Sequence, residues 1–267
     1  MKHTLYAVQQ IRRLRGGSQA QLLRASDGGY YVTKSAQNPQ HVRVLANEML
    51  ATGLGHVLGL PVPRVEPIEV PGWLIEHTSE LSFEIGGARR AWKPGVHLAS
   101  LYVDDPATTH VLDYLPESMM DSVRNVADFG RVLVLDRWAC NCDGRQAVFS
   151  RRGKRGYFVT FIDQGYCFNA SEWSFPDSPV RGVYPRNCVY KNIAGWDSFE
   201  PAVSRAEQMD VEEIWRIAAS IPEEWYESDQ CGLHRLVETL YKRRSMIRDL
   251  IAAFRSSTRN PFPNWRQ

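Results

Sequence analysis

Short alternations of apolar and polar residues fill the start of the chain, and longer helical periods follow. From Tyr6 to Lys34 the alternation predicts two or three strands, with apolar positions at Leu22, Tyr31 and Val32 around the turn Ser26-Asp27-Gly28-Gly29. Ahead of that hairpin lies the small-residue loop Gly16, Gly17, Ser18, Gln19. Glycine there lets backbone N–H groups approach an anion, although neither a G-x-G-x-x-G nor a Walker pattern is present.

A helix is expected from about Gln40 to Leu58, opened at Asn38-Pro39 and closed by Gly59. Ala46, Met49, Leu50 and Leu54 give it an apolar face, with Glu48 beside that face. LPVPRVEPIEV from Leu60 reads as a proline-punctuated strand and Gly72–His77 as another, whereas Thr78–Leu115 reads as irregular. A lone His97 within that stretch reads as a surface residue.

Ser122–Cys140 predicts a buried helix through Val126, Phe129, Val132, Val134, Leu135 and Trp138. It leads into LVLDRWACNCDGRQAVFSRRGKRGYFVTFIDQGYCF, Leu133 to Phe168, on which the reading of the chain turns. This stretch predicts a loop carrying Asp143, a strand, a basic turn with Arg151, Arg152, Lys154 and Arg155, a second strand and a tight turn carrying Asp163. An antiparallel hairpin would return the two aspartates to each other, making either a two-carboxylate pocket or two ordinary turn residues. Asp136 reads as structural, a partner for Arg137 or Arg145.

Further on, Asn169–Asn192 mixes aromatics, prolines and arginines. Helices are expected over Trp196–Met209, over Asp210–Ser220 with Asp210 as N-cap and Glu213 three residues on, and over Leu233–Phe254. The tail reads as loose or as docked through Phe262 and Trp265.

Composition narrows the class. The 267 residues are 43% hydrophobic and 11% aromatic, enough for a large core or two lobes and against general disorder. A net charge of +2 and no long run of like charge do not indicate nucleic acid. MKHTLYAVQQIRRLRGG is too polar for a signal peptide, and no apolar run approaches the roughly 18 residues that span a bilayer, so a cytoplasmic protein is expected. Cys140, Cys142, Cys167, Cys188 and Cys231 are odd in number, lack a C-x-x-C pair and read as reduced, mostly buried thiols.

The pattern N-x-D-x-[RH]-Q, an apolar strand and then I-D-x-G, here Asn141, Asp143, Arg145, Gln146, Ile162, Asp163 and Gly165, resembles HipA-like and phosphatidylinositol-kinase-like enzymes, relatives of the protein kinases. Lys34, at the end of the strand Tyr-Tyr-Val-Thr-Lys, takes the place of a kinase V-A-I-K lysine, and Glu48 on the next helix that of its partner. The resemblance implies an α+β, bilobal protein-kinase-like fold: a β-rich N-terminal lobe with one helix over residues 1–80 and a mainly helical lobe over 81–267.

It also implies ATP and Mg2+. Asp143 would deprotonate the acceptor, with Lys34 neutralising phosphate charge and Arg145 bonding a carboxylate or phosphate. Asp163, with Gln146 or Asn141, would hold metal. Gly16, Gly17, Ser18 and Gln19 would cover the phosphates, with Lys34 and Glu48 beneath them, and the backbone around Ile75, Glu76 and His77 would meet the adenine. Implied partners are a protein Ser/Thr substrate or the chain itself by autophosphorylation, and an antitoxin-like protein; a bacterial source goes with the family. One departure stands out: Val148 occupies the place five residues after Asp143 where an asparagine usually binds a second metal. An ATP-binding module without transfer and a kinase for a small molecule or lipid headgroup are the competing classes.

Overall fold

The computed structural model describes residues 4–151 and 156–266. Strands β1 (Ala7–Arg13), β2 (Gln21–Ala25) and β3 (Tyr30–Lys34) form the expected meander. Helix α1 (Arg43–Leu58) follows, ended by Gly59 in the left-handed conformation at φ 77°, which glycine adopts without a Cβ penalty. Then come β4 (Val65–Val70), a short helix α2 (Gly72–Glu76), the hairpin β5 (Ser82–Ile85) and β6 (Ala88–Ala91), and β7 (Gly95–Leu101). A five-stranded sheet runs in the order β1-β2-β3-β7-β4.

Two expectations fail in this lobe. Gly72–His77 is helical, with the Leu74 and Ile75 N–H groups donating to the Pro71 carbonyl and Leu74 alone buried; a short apolar run does not distinguish strand from helix turn. Thr78–Leu115 is not irregular and the lobe does not close at residue 80. Gly86 and Gly87, both at positive φ, make the two-residue turn of β5-β6, and β7 then enters the sheet between β3 and β4. His97 is therefore a buried strand residue.

Alternation along β7 sends Leu98 and Ala99 into separate apolar clusters, one on each face of the sheet. Ala99 joins Ile68, Leu23, Phe83 and Trp92 beneath α2 and the hairpin, whereas Leu98 joins the core shared with α1 and the helical lobe. Helix α1 thus lies between the sheet and the second lobe. It buries Val44, Leu45, Asn47, Glu48, Met49, Leu54 and others around most of its circumference, not the single face its periodicity suggested.

Past β7 the chain crosses to the second lobe and starts β8 (Val111–Leu112), α3 (Asp128–Trp138), β9 (Gln146–Arg151) and β10 (Tyr157–Ile162). These strands form a small sheet, β10-β9-β8, with Gln146 opposite Ile162. The basic turn falls largely outside the described residues. From Asp163 to Pro201 the chain runs through turns and short 3-10 segments, so the helix expected over Trp196–Met209 begins only at Ala202; the helices are α4 (Ala202–Gln208), α5 (Val211–Ala218), α6 (Gln230–Arg243) and α7 (Ile247–Arg255). Asp210 caps α5 by accepting the Glu213 N–H. The single helix expected over Leu233–Phe254 is two, separated by a tight turn at Arg244–Met246. Phe262 is buried against Tyr190, Phe199, Phe254 and Trp265, so the tail is docked. The five cysteines are unpaired, but only Cys140 and Cys167 are buried. No helix among the described residues is long and apolar enough to cross a membrane.

Candidate functional site

Three elements converge on one ammonium group. Lys34, the last residue of β3, places Nζ 2.8 Å from Glu48 Oε2 on α1 and 2.8 Å from Asp163 Oδ1 in the turn after β10. The lysine and glutamate are nearly fully buried, while about a quarter of the Asp163 side chain is exposed. Burial alone would depress the lysine pKa, but the Asp163 and Glu48 charges overcome it and hold the group well above an ordinary lysine. Burial likewise pushes the Asp163 carboxyl up, and Lys34 and then Arg145 bring it below the usual carboxylate range. Lys34 therefore stays charged and Asp163 ionised at neutral pH.

Helix α1 also fixes the Asp163 turn. Glu48 uses its other oxygen to accept the Gln164 N–H at 2.9 Å. Asn47 donates to the carbonyls of Gly165 at 2.9 Å and Ala170 at 2.7 Å, and accepts from Trp173 Nε1 at 2.7 Å. Gly165 passes so close to Val44 that a Cβ would overlap it. Asp163 itself is left-handed at φ 60°, a conformation aspartate tolerates better than most residues.

The Asp143 loop is shaped from below. Asp136, at the end of α3, is wholly buried and takes a forked contact from Arg145. Arg145 further donates to the Ile162 carbonyl and to Gln164 Oε1, joining both ends of the β9-β10 hairpin. Arg145 is consequently not available to an acceptor or phosphate: its guanidinium is enclosed, and its role is to hold the two aspartate loops together. Asn141 is also spent within the loop. Its amide donates to Asp136 and the Gly182 carbonyl, and its oxygen accepts the Asp143 N–H at 3.3 Å. Asp143 is exposed, with one carboxylate oxygen accepting from the Gly144 N–H. Gln146 is exposed at the start of β9, and Val148 is buried in that strand.

The Tyr166 ring lies within the field of both carboxylates. Burial first, and then the charges of Asp143 and Asp163, push its phenol up, so both act on the same ring from the two loops. The Tyr166 carbonyl accepts the Cys142 N–H at 3.0 Å, tying one loop to the other.

Around the small-residue loop, Gly16 has φ 125° and Gly17 lies against Gln40. Gln19 does not face an open cleft: its amide donates to the Glu84 carbonyl at 2.9 Å and its oxygen accepts the Glu84 N–H at 2.8 Å and an Arg13 contact. It braces the loop against β5-β6. Glu76 and His77 lie exposed at the end of α2, away from Lys34, because β7 rather than the 72–77 segment lies next to β3. The stretch bordering the crossing between lobes is 101–110.

Sequence reasoning missed Asn47, Gln164 and Tyr166. The one available signal was Asn47-Glu48, adjacent polar residues inside an otherwise apolar helix.

A β-rich lobe carrying helix α1, a helical lobe, and a lysine bridging a helix glutamate and a turn aspartate define the protein-kinase-like fold. Solved structures agree. The chain superposes on the Helicobacter pylori proinflammatory kinase CtkA with TM-score 0.56 at 13% identity, covering 94% of this chain and 97% of that one. It superposes on the Golgi casein kinase solved with Mn/ADP bound at 0.52 and 11% identity, covering 96% and 73%. A family model described as HipA-like kinase matches residues 8–155, more than half of the chain, and the chain belongs to that family. No curated protein sequence matches it.

Proposed function

We propose that the protein is an ATP-dependent kinase that transfers the γ-phosphoryl group to a hydroxyl, with a protein serine or threonine, the chain itself included, as acceptor. The observation that carries this reading is the lysine held between Glu48 and Asp163. An ammonium has three donors, and two are committed to carboxylates, so the third is left to meet a phosphate oxygen with its charge undiminished. Asp143, exposed on its braced loop, orients the acceptor hydroxyl and takes its proton. The base of the nucleotide is assigned to the backbone that follows β7, beyond Tyr102, whose N–H is taken by the Tyr30 carbonyl, in place of Glu76 and His77.

Magnesium suits the Asp163 carboxylate, since this ion is commonly held by one or two carboxylates plus phosphates. When bound it supplies charge neutralisation at the phosphates. Gln146 is the exposed amide for a second ion, because Asn141 is buried with its oxygen on the Asp143 N–H and Val148 has no donor. That deficit favours one alternative, a nucleotide-binding module without transfer. A bacterial source and an antitoxin-like partner rest on the family resemblance alone.

The test is incubation with magnesium and γ-labelled ATP beside Asp143→Asn and Asp163→Asn, read by label and intact mass. Label on the wild type and on neither variant is expected. Thermal stabilisation by ATP without label selects the non-transferring alternative, and neither binding nor transfer, with magnesium or manganese, refutes both.

A further inference from the structure

We propose that Arg181 selects acceptors bearing a carboxylate beside the hydroxyl, so that the substrate class is an acidic serine- or threonine-containing peptide. This rests on the kinase reading above and deepens it.

The segment 178–183 is laid along the Asp143 loop by several independent contacts. Arg137, buried in α3, donates to the carbonyls of Ser178 at 2.8 Å, Pro179 at 3.2 Å and Arg181. The Gly182 carbonyl accepts from Asn141 at 3.1 Å and the Val183 carbonyl accepts the Arg145 N–H at 3.3 Å. Gly182, at φ 73°, passes so near the Asn141 carbonyl that no Cβ fits. Arg181 is thereby anchored through its backbone while its side chain is exposed.

That side chain turns back to the loop. Its Nε–H donates to the Cys142 carbonyl at 3.2 Å, one residue from Asp143. After burial, Arg181 is the strongest influence on the Cys142 thiol, whereas the cations acting on Asp163 are Lys34 and Arg145. The site thus has a second cation: Lys34 holds Asp163, and Arg181 lies against the carbonyl one residue before Asp143. Among the described residues no carboxylate lies within ion-pair distance of Arg181. Asp177, four residues back, is taken at 2.7 Å by two nitrogens of Arg243. The Arg181 guanidinium, which also bonds the Cys142 thiol, keeps further N–H groups on a planar fork that matches a carboxylate. A group docked there arrives with an acceptor placed at Asp143, not with the nucleotide held at Lys34.

The full-length protein is assayed with magnesium and labelled ATP on serine and threonine peptides whose flanking positions are Asp/Glu, Asn/Gln or Lys, beside Arg181→Gln and Arg181→Glu. For the wild type, kcat/KM should favour the acidic set over the neutral one by about twofold to fivefold, the worth of an exposed ion pair. Arg181→Gln should erase that preference and Arg181→Glu should turn it toward the lysine set, with KM for ATP unchanged. Transfer by both variants with the wild-type preference overturns the proposal, as does a rise in KM for ATP with peptide preference intact, or transfer confined to a non-peptide acceptor. Absence of label on any peptide and on the protein itself removes the kinase reading, and this inference with it.

Discussion

Replacing Glu48 with glutamine isolates the charge at the centre of the site. The substitution keeps the shape of the side chain and an oxygen for the Gln164 N–H, but leaves the buried Lys34 ammonium with one carboxylate in place of two at 2.8 Å. A hydrogen bond to a charged group contributes about 1.5–3 kcal/mol, and removing one partner from a fully buried pair costs about 3–5 kcal/mol. Asp163 still compensates Lys34, so a loss of about 2–3 kcal/mol is expected from urea unfolding at neutral pH. Lys34 should then lean toward Asp163. Its aim at the phosphates would suffer, and kcat/KM for ATP should fall by about a hundredfold at 1.36 kcal/mol per tenfold. Unfolding free energy within about 0.5 kcal/mol of wild type, together with unchanged transfer, would refute the assignment of Glu48 as the group that positions Lys34.

Three further outcomes follow from the geometry. His97 accepts the Ala36 N–H at Nδ1 and faces the Lys93 carbonyl through Nε2, and burial pushes its pKa down to about 4 from 6.5. The unfolded chain takes up the proton first, so stability present above pH 6.5 should decline by up to about 3 kcal/mol as the pH falls to about 4, and His97→Gln should flatten that decline in pH-dependent unfolding. Gly182→Ala, which sets a methyl on the Asn141 carbonyl at positive φ, should cost at least about 2–3 kcal/mol and suppress transfer more than it lowers Tm, read by parallel thermal and label assays. Arg243 is buried, donates to the Arg137 and Trp138 carbonyls and stacks on Phe175 besides its pair with Asp177, so Arg243→Met should cost about 3–5 kcal/mol, whereas Asp177→Asn should cost about 1–2 kcal/mol and speed proteolysis within 173–181.

Much of the site can be read from local chemistry. The meander ending at Lys34, the helix bearing Glu48, the hairpin between Asp143 and Asp163, and the capped helix at Asp210 each follow from turn residues and apolar spacing acting within a few residues of one another. The sequence alone therefore determined the order of parts, the α+β class and the family resemblance. What it did not contain was direction and enclosure. Arg145 carries the same charge whether it faces a phosphate or is sealed against Asp136, and only the packing of α3 beneath the β9-β10 hairpin decided for the second. Gln19 reads as part of a phosphate cover until the β5-β6 hairpin takes its amide. The stretch Gly72–His77 has strand composition, but β7, more than twenty residues later, occupies the place beside β3. Arg181 lies far along the chain from the Asp143 loop and meets it at the Cys142 carbonyl because Arg137 and Gly182 draw the intervening segment back. These are long-range choices, made where buried polar groups must find partners, and the tertiary structure alone decided them.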